Sequence, residues 1–123
     1  MILLENLEVF KLAEQLSDLI WNQFDHWPEK VKRTIGYQIL RASDSISANI
    51  AEGYGRFTPK DSLLFYRYAR GSFYETESWV KKLSRRNVIN DNESEKLNQI
   101  ISELGPKLNG FIRSTKTYRS NTK

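Results

Sequence analysis

The sequence predicts an all-α protein that folds as an antiparallel up-down-up-down four-helix bundle. Four segments carry apolar residues at three- and four-residue steps, which is the spacing of one face of an α-helix. Short segments rich in proline, glycine or asparagine separate them, and short connections favour neighbouring helices that run in opposite directions. No segment alternates apolar and polar residues for long enough to indicate a β-strand.

The first helix is predicted from about Leu7 to Trp27. Pro28 stops it, because proline lacks an amide hydrogen and biases the residue before it away from helical angles. Its expected core face carries Val9, Ala13, Leu16, Ile20, Phe24 and Trp27.

The second helix is predicted from about Pro28 to Gly53. Gly53 and Gly55 suit its end, because glycine readily adopts the left-handed conformation that is common at a helix C-terminus. Its expected core face carries Val31, Ile35, Ile39, Ala42, Ile46 and Ile50.

The third helix has the clearest start signal. Thr58 is expected to cap it, Pro59 suits the first helical position, and Asp61 favours the positive end of the helix dipole. Its seam toward the core is expected to be Phe65, Ala69, Ser72, Thr76, Trp79 and Leu83.

The fourth helix is predicted to follow a polar turn at residues 87–92. Pro106 is expected to interrupt and kink it, because proline leaves a carbonyl about one turn earlier without its partner. Its expected core face carries Leu97, Ile101, Leu104, Leu108, Ile112 and Thr115.

The charge is unevenly distributed along the chain. There are 19 Lys and Arg residues against 15 Asp and Glu residues, a formal net charge of +4. The segment after residue 112 contains bases and no acid. We therefore predict one folded domain at residues 1–115 and a basic, disordered tail at residues 116–123. Such a tail either attracts a polyanion or is simply a solvated end; its region carries Arg113, Lys116, Arg119 and Lys123.

Several classes of protein are excluded by what the sequence lacks. There is no cysteine, so a disulfide framework, a thiolate zinc site and a cysteine nucleophile are ruled out. No signal-peptide pattern opens the chain, and no apolar run approaches the roughly 18 residues of a membrane span. A cytoplasmic protein is expected.

Enzymatic chemistry finds little support. The single histidine, His26, cannot build a histidine-rich zinc site and has no evident nucleophile to serve. The glycine pair Gly53 and Gly55 follows no strand, so it is not a phosphate-binding loop. The sequence predicts no catalytic residue, no metal site and no cofactor.

The third helix is apolar on a second side, where Tyr66, Phe73 and Val80 repeat every seven residues. Phe10 and Trp21 give the first helix a similar flank. Two interpretations remain open: these residues widen the core face of their own chain, or they pack between subunits. The second interpretation predicts a homo-oligomer with these five residues in its interface.

Polar residues are expected to join the second and third helices. Asn49 and Glu52 lie beside the isoleucine stripe, and Glu52 precedes Arg56 by four residues, which is the spacing of a helical ion pair. A network between the two helices would fix their register. Its predicted members are Asn49, Glu52, Arg56, Arg70, Ser72 and Glu75.

Three motifs resemble those of the 23S rRNA intervening-sequence proteins, the S23 family: Gln38-Ile39-Leu40-Arg41-Ala42-Ser43-Asp44-Ser45-Ile46, Asn49-Ile50-Ala51-Glu52-Gly53, and Ala69-Arg70-Gly71-Ser72 followed by Glu75. The resemblance covers about residues 10–113 and departs from the family pattern at Trp79 and Pro106. It implies a left-handed bundle that assembles into a ring, a homopentamer, in a bacterial protein. The chain is also similar to accessory proteins of diversity-generating retroelements, which are basic pentameric bundles that bind nucleic acid and a reverse transcriptase. Neither resemblance supplies catalytic residues.

Basic residues make nucleic acid the favoured partner. Four of them end the third helix, where cations can contact phosphates or, alternatively, only stabilise the helix dipole. An aromatic ring shares a face with other bases on this helix and can stack on an unpaired base. The candidate contacts are Lys81, Lys82, Arg85, Arg86, Arg67, Tyr74, Arg113 and Lys116.

The function expected from the sequence is a non-enzymatic, ring-forming bundle that binds RNA or DNA with little sequence preference. The alternative is a protein-interaction scaffold or adaptor whose bases only keep it soluble. The expected partners are further copies of the chain, RNA or DNA, and a nucleic-acid-processing protein, with no membrane contact.

Overall fold

The computed structural model describes residues 2–121, and the side chains of residues 2–116. Every regular element in this part of the chain is helical, which confirms the predicted all-α, four-helix class. A short 3₁₀ turn at Leu4–Asn6 precedes the first helix. The helices are α1 (Glu8–Phe24), α2 (Glu29–Val31), α3 (Tyr37–Tyr54), α4 (Pro59–Arg85) and α5 (Asp91–Asn121). A π-helical segment, Lys32–Gly36, joins α2 to α3, so the two form one continuous rod.

The four rods pack as neighbours around one core. Helix α1 contacts α3 and α5, and α4 contacts the same two helices. Between α1 and α5, Glu8 pairs with Lys107 while Gln23 bonds to the carbonyl of Glu93. Residues early in one helix thus meet residues late in the other, as expected for helices that run in opposite directions. The left-handed turn of the bundle remains a prediction.

The core stripes of three rods agree with the sequence pattern. Ile20, Ile46 and Leu104 are fully buried, each from a different rod. These stripes bury apolar surface against neighbouring helices, which supplies most of the stability of an amphipathic helix. The other predicted residues buried in them are Val9, Ala13, Leu16, Trp27, Ile35, Ile39, Ala42, Ile50, Leu97, Ile101, Leu108 and Ile112.

The predicted seam of α4 is only half right. Tyr66, Phe73 and Val80, which the sequence assigned to a subunit interface, are 4%, 4% and 1% exposed and belong to the core of their own chain. That interface prediction is wrong for these three residues, because α3 and α5 cover the side of α4 that carries them: Tyr66 packs on Gly53 and Phe111, and Phe73 packs on Gly105. The predicted seam residues that are only partly buried are Phe65, Ser72 and Trp79.

Local signals at the ends of α4 and α5 act as capping devices. The Thr58 hydroxyl accepts a hydrogen bond from the Asp61 amide at 3.2 Å, which confirms the predicted N-cap. At the start of α5, the amide of Asn90 donates to the Glu93 carboxylate and the amide of Glu93 donates to the Asn90 side chain. This reciprocal pair is a capping box.

A Schellman motif ends α4. Asn87 has a φ of 58°, in the left-handed region, and its amide donates to the carbonyl of Ser84 at 3.1 Å. The amide of Val88 donates to the carbonyl of Leu83 at 2.9 Å. These two bonds satisfy carbonyls that would otherwise lack partners at the helix end and fix where Val88 lies.

Two expectations about glycine and proline are corrected. Gly55 has a φ of −85°, so no left-handed glycine ends α3. Pro106 lies inside α5, which continues through it to Asn121 without the predicted interruption. The helix therefore extends beyond the predicted boundary at residue 115. The side chain of Arg119 and all of Lys123 lie outside the described residues.

Candidate nucleic-acid interface

Four basic residues surround the C-terminal end of α4, as the sequence predicts. Lys81, Arg85 and Arg86 are exposed, and Lys82 is half-buried with its ammonium 5.2 Å from the centre of the Trp79 ring. Their position at the negative end of the helix dipole favours positive charge. The structure thus presents most of this charge to solvent, where it can meet a polyanion.

A fifth base, Lys30, joins this cluster through the fold. Lys30 lies in α2, far from Arg86 in sequence, yet both residues line one groove of about 380 Å³ at this end of the bundle. The sequence analysis missed Lys30 because only packing of the α2 rod against the α4–α5 turn brings the two cations together. We call this the end groove; its lining residues are Pro28, Lys30, Val31, Thr34, Ile35, Arg86 and Val88.

The bases of this cluster form no salt bridge in the described part of the chain, unlike several other bases. Elsewhere, Lys32 and Arg33 lie 4.0 Å and 3.9 Å from Glu29, and Lys107 lies 2.7 Å from Glu8. No salt bridge within residues 2–116 involves the cluster's own cations, so their charge is available to an outside partner. These cations are Lys30, Lys81, Lys82, Arg85 and Arg86.

Two other predicted contacts meet in a second groove, between α4 and α5. Tyr74 is 51% exposed and its ring packs edge-on against Phe73, with centroids 5.4 Å apart. Tyr74 and Arg113 both line this side groove, and Glu77 lines it as well. The acid makes the side groove less favourable to phosphate than the end groove. Of the remaining predicted contacts, Arg67 is exposed on α4 and Lys116 on α5.

A comparison of the sequence with models of protein families tests the resemblance that the motifs suggest. The model of the 23S rRNA-intervening sequence protein family matches residues 5–110, most of the chain. The chain belongs to this family.

A solved structure of the family supports the same fold. It is the crystal structure of a protein of unknown function from the S23 ribosomal protein family of Bacteroides thetaiotaomicron VPI-5482. The two chains are 25% identical, with a TM-score of 0.76, and the match covers 85% of this chain and 97% of that one. No curated protein shows a significant match to the sequence. Neither the family's description nor the name of this similar structure gives an enzymatic activity.

The polar residues of the family-like motifs do not form the predicted network between helices. Glu52 at the end of α3 pairs at 2.5 Å with Arg56 in the turn that follows, as predicted, and Arg56 reaches α4 only through its guanidinium, 4.5 Å from the centre of the Phe65 ring. Asn49 donates to the carbonyl of Ser45 at 2.8 Å, and Glu75 accepts from the Trp79 indole at 3.0 Å. Each partner is one turn away on the same stretch of chain, so these side chains are satisfied locally. Arg70 and Ser72, the remaining predicted members on α4, make no hydrogen bond to α3 within the described residues.

The exposed apolar residues differ from those predicted for an interface. Trp21 is 62% exposed and remains a candidate, whereas Phe10 is partly buried against the core. A cluster that the sequence analysis missed surrounds the start of α4. Its members, which we call the apolar patch, are Phe57, Leu64 and Tyr68, exposed by 104%, 45% and 52%. Their spacing of seven and then four residues, typical of one helical face, could have revealed them.

An acidic face lies on α1 and α3, away from the basic cluster. Glu14, Asp18 and Asp44 are exposed there, and Glu14 accepts a hydrogen bond from Ser47 at 2.9 Å. Partial burial raises the pKa of Asp44, and the charges of Glu14 and Asp18 raise it further. These three carboxylates make this face unfavourable to phosphate.

Other kinds of site find no support in the part of the chain that the structure describes. No cluster of three or more histidine, cysteine, aspartate or glutamate side chains there is arranged to hold a metal ion. His26 is exposed in the turn after α1. None of the described helices combines the length and hydropathy that crossing a membrane requires.

Proposed function

We propose that this family member is a non-enzymatic, cytoplasmic, ring-forming homo-oligomer, a pentamer, that binds RNA or DNA with little sequence preference. The observation that carries the proposal is that Lys30 and Arg86 line one groove beside the basic C-terminal end of α4, and that neither forms a salt bridge within the described residues. The family's description, which connects its members with intervening sequences of 23S rRNA, is consistent with an RNA partner.

Electrostatic attraction to the phosphate backbone supplies the binding. Each phosphate contact by Lys or Arg releases condensed counterions, so affinity falls steeply as salt is raised. Phosphates are the same in every sequence, which is why contacts of this kind position a protein without reading bases. The expected contacts are Lys30, Lys81, Lys82, Arg85 and Arg86, helped by Arg113 and Lys116.

Assembly would multiply a modest patch into a large field. One chain offers only a few cations, but repetition around a ring places several such clusters along one nucleic acid, which raises avidity. The apolar patch and Trp21 support association, because exposed aromatic clusters commonly mark interfaces.

Charge reversal tests the proposal. Replacing Lys81, Lys82, Arg85 and Arg86 by Glu should abolish retention of RNA at low salt in a filter-binding or anisotropy assay. Undiminished binding by this variant would remove the basic cluster from the proposal.

A matched pair of double variants separates position from net charge. Arg85→Glu/Arg86→Glu and Lys11→Glu/Lys60→Glu change the net charge equally, and all four residues are exposed. We expect Arg85→Glu/Arg86→Glu to weaken RNA binding at least about tenfold, because it removes two phosphate contacts and puts two negative charges in their place. The second pair lies away from the end groove and should bind nearly as the wild type does. Equal losses would mean that only overall charge matters.

The apolar patch favours a second candidate function, a scaffold that binds another polypeptide. Phe57 is fully exposed, and Leu64 and Tyr68 lie one turn apart on α4. A pull-down that survives nuclease treatment and is lost in Phe57→Glu/Tyr68→Glu would support the scaffold. Loss of the captured partner on nuclease treatment would favour the nucleic-acid function.

A further inference from the structure

The floor of the end groove is apolar, and phosphate binding alone does not require an apolar surface. Ile35 is 8% exposed, and Val31 and Val88 are half-buried beside it. Lys30 and Arg86 line the same groove, which therefore combines an apolar floor with two cations. A site of about 380 Å³ falls within the size range of ligand pockets, roughly 300–1,000 Å³.

We propose that the end groove receives one unpaired nucleobase while Lys30 and Arg86 hold the adjoining phosphates, so that the chain prefers single-stranded over duplex nucleic acid. This inference rests on the proposed function and names the form of nucleic acid that it binds. The ligand that fits is a flat apolar ring joined to an anion, which is the chemistry of a nucleotide. Bases within a duplex are stacked and paired, so only an unpaired base can enter.

The groove is held open by backbone bonds on both of its sides. On one side, the amide of Val31 donates to the carbonyl of Pro28 at 2.9 Å, and the Thr34 hydroxyl donates to the carbonyl of Lys30 at 2.8 Å. On the other side, the Schellman motif fixes Val88 beside Arg86. A preformed groove binds more tightly because less ordering is required when the ligand enters.

Filling the groove tests the inference without changing its charge. Thr34 is exposed and lines the groove, so Thr34→Trp places a bulky side chain at its mouth. Ser45→Trp is the matched control, because the half-buried Ser45 also donates to a carbonyl one turn earlier, at 3.0 Å, in a bond that faces solvent. Circular dichroism of both variants checks that they fold.

The probes are a polyuridine RNA strand and a duplex RNA of equal length, compared by fluorescence anisotropy. We expect the wild type to bind the strand roughly tenfold more tightly than the duplex, which is the order of effect that burying part of one base against an aliphatic floor provides. Thr34→Trp should remove that preference and leave duplex binding unchanged, while Ser45→Trp behaves as the wild type.

Failure of the inference and failure of the proposed function give different results. Equal affinity of the wild type for strand and duplex, with both lost in Arg85→Glu/Arg86→Glu, would overturn the inference and keep the function. The inference would also be overturned if Thr34→Trp retained the strand preference. Binding of neither RNA would overturn both. Binding of a polyglutamate peptide in place of RNA, sensitive to Thr34→Trp, would assign the groove to an acidic polypeptide and likewise overturn it.

Discussion

The ring of Tyr66 packs so closely on Gly53 that a Cβ atom placed on that glycine would lie 2.6 Å from Cε1 of Tyr66. The same atom would lie 3.0 Å from the carbonyl oxygen of Ser62. Real Cβ atoms do not approach that closely, so only glycine lets α3 and α4 meet here. The glycine that ends the family-like motif thus serves helix packing, and its role as a left-handed cap is not observed.

Replacing Gly53 by alanine should therefore destabilise the fold. We expect Gly53→Ala to lower the free energy of unfolding by about 1–3 kcal/mol, the usual cost of overpacking a core. Urea denaturation followed by circular dichroism measures the change.

Gly71→Ala is the control, because a Cβ at Gly71 meets nothing within 4 Å. Alanine in an open helical position should raise stability by about 0.5–1 kcal/mol. The packing role of Gly53 is refuted if both variants gain stability.

Ser62 is expected to stabilise the fold through a hydrogen bond, whereas Gly53 acts through close packing. Its buried hydroxyl donates to the carbonyl of Gly53 at 2.7 Å, across the turn between α3 and α4. Ser62→Ala removes this bond and leaves the Gly53 carbonyl with only the amide of Arg56, at 3.2 Å, as a donor, which should cost about 1 kcal/mol of unfolding free energy. Ser45→Ala removes a comparable bond that faces solvent and should change stability by less than about 0.5 kcal/mol. Similar effects of the two substitutions would contradict this account.

The acidic face predicts a pH dependence. The pKa of Asp44 is raised above its ordinary 3.8 by burial first and then by Glu14 and Asp18, so the folded state holds this proton more tightly. Stability is lost as pH rises from 3.8 through the raised value, because ionised Asp44 is disfavoured in the fold. Asp44→Asn should therefore raise the Tm at pH 7.

The gain in Tm from Asp44→Asn should shrink as the pH is lowered below the ordinary pKa of an aspartate, because Asp44 is then protonated in both the folded and the unfolded state. Thermal melts of the wild type and Asp44→Asn across this range measure it. Glu95→Gln on α5 controls for the change in net charge. A Tm gain that does not depend on pH would show that the acidic face is not its source.

Lys30 should contribute to binding as one phosphate contact. Lys30→Gln is expected to weaken single-stranded RNA binding and to reduce the slope of log affinity against log salt by about 0.7, the value per contact for single strands. Lys11→Gln, at an exposed site on α1, should leave the slope unchanged. If the slope of log affinity against log salt is unaltered in Lys30→Gln, the nucleic acid does not contact Lys30.

Assembly can be tested directly. Sedimentation at micromolar concentration should give a multiple of the 14.4 kDa chain mass for the wild type. Phe57→Glu/Tyr68→Glu should shift the protein toward monomer, because charge in an apolar interface is costly. The Lys11→Glu variant, with its change on α1 and outside the apolar patch, should keep the wild-type mass. A wild-type monomer would remove the ring from the proposal.

The helix pattern and several helix ends could be read directly from the sequence. The stripes through Ile20, Ile46 and Leu104 repeat with helical periodicity, and Thr58 caps α4 with the expected bond. Both signals are local: one depends on spacing within a helix and the other on residues within a single helical turn. Such features need no knowledge of what lies across the bundle.

The choice between two apolar flanks on α4 could not be made in this way. Phe65 and Tyr66 are neighbours, and both continue into plausible stripes. Burial of Tyr66 at 4% exposure was decided by the approach of α3 at Gly53 and of Phe111, whose ring centroid lies 4.7 Å from that of Tyr66. Helical periodicity reports which residues share a face, but not which face a neighbour covers.

By itself, the sequence determined four amphipathic helices, their turns and a surplus of positive charge at the end of α4. Only the tertiary structure decided that Lys30 and Arg86 line one groove, that Gly53 accommodates Tyr66, and that Asn49 and Glu75 bond within their own helices. The reason is that spacing along a chain sets local geometry, whereas contacts between distant residues depend on how the rods pack.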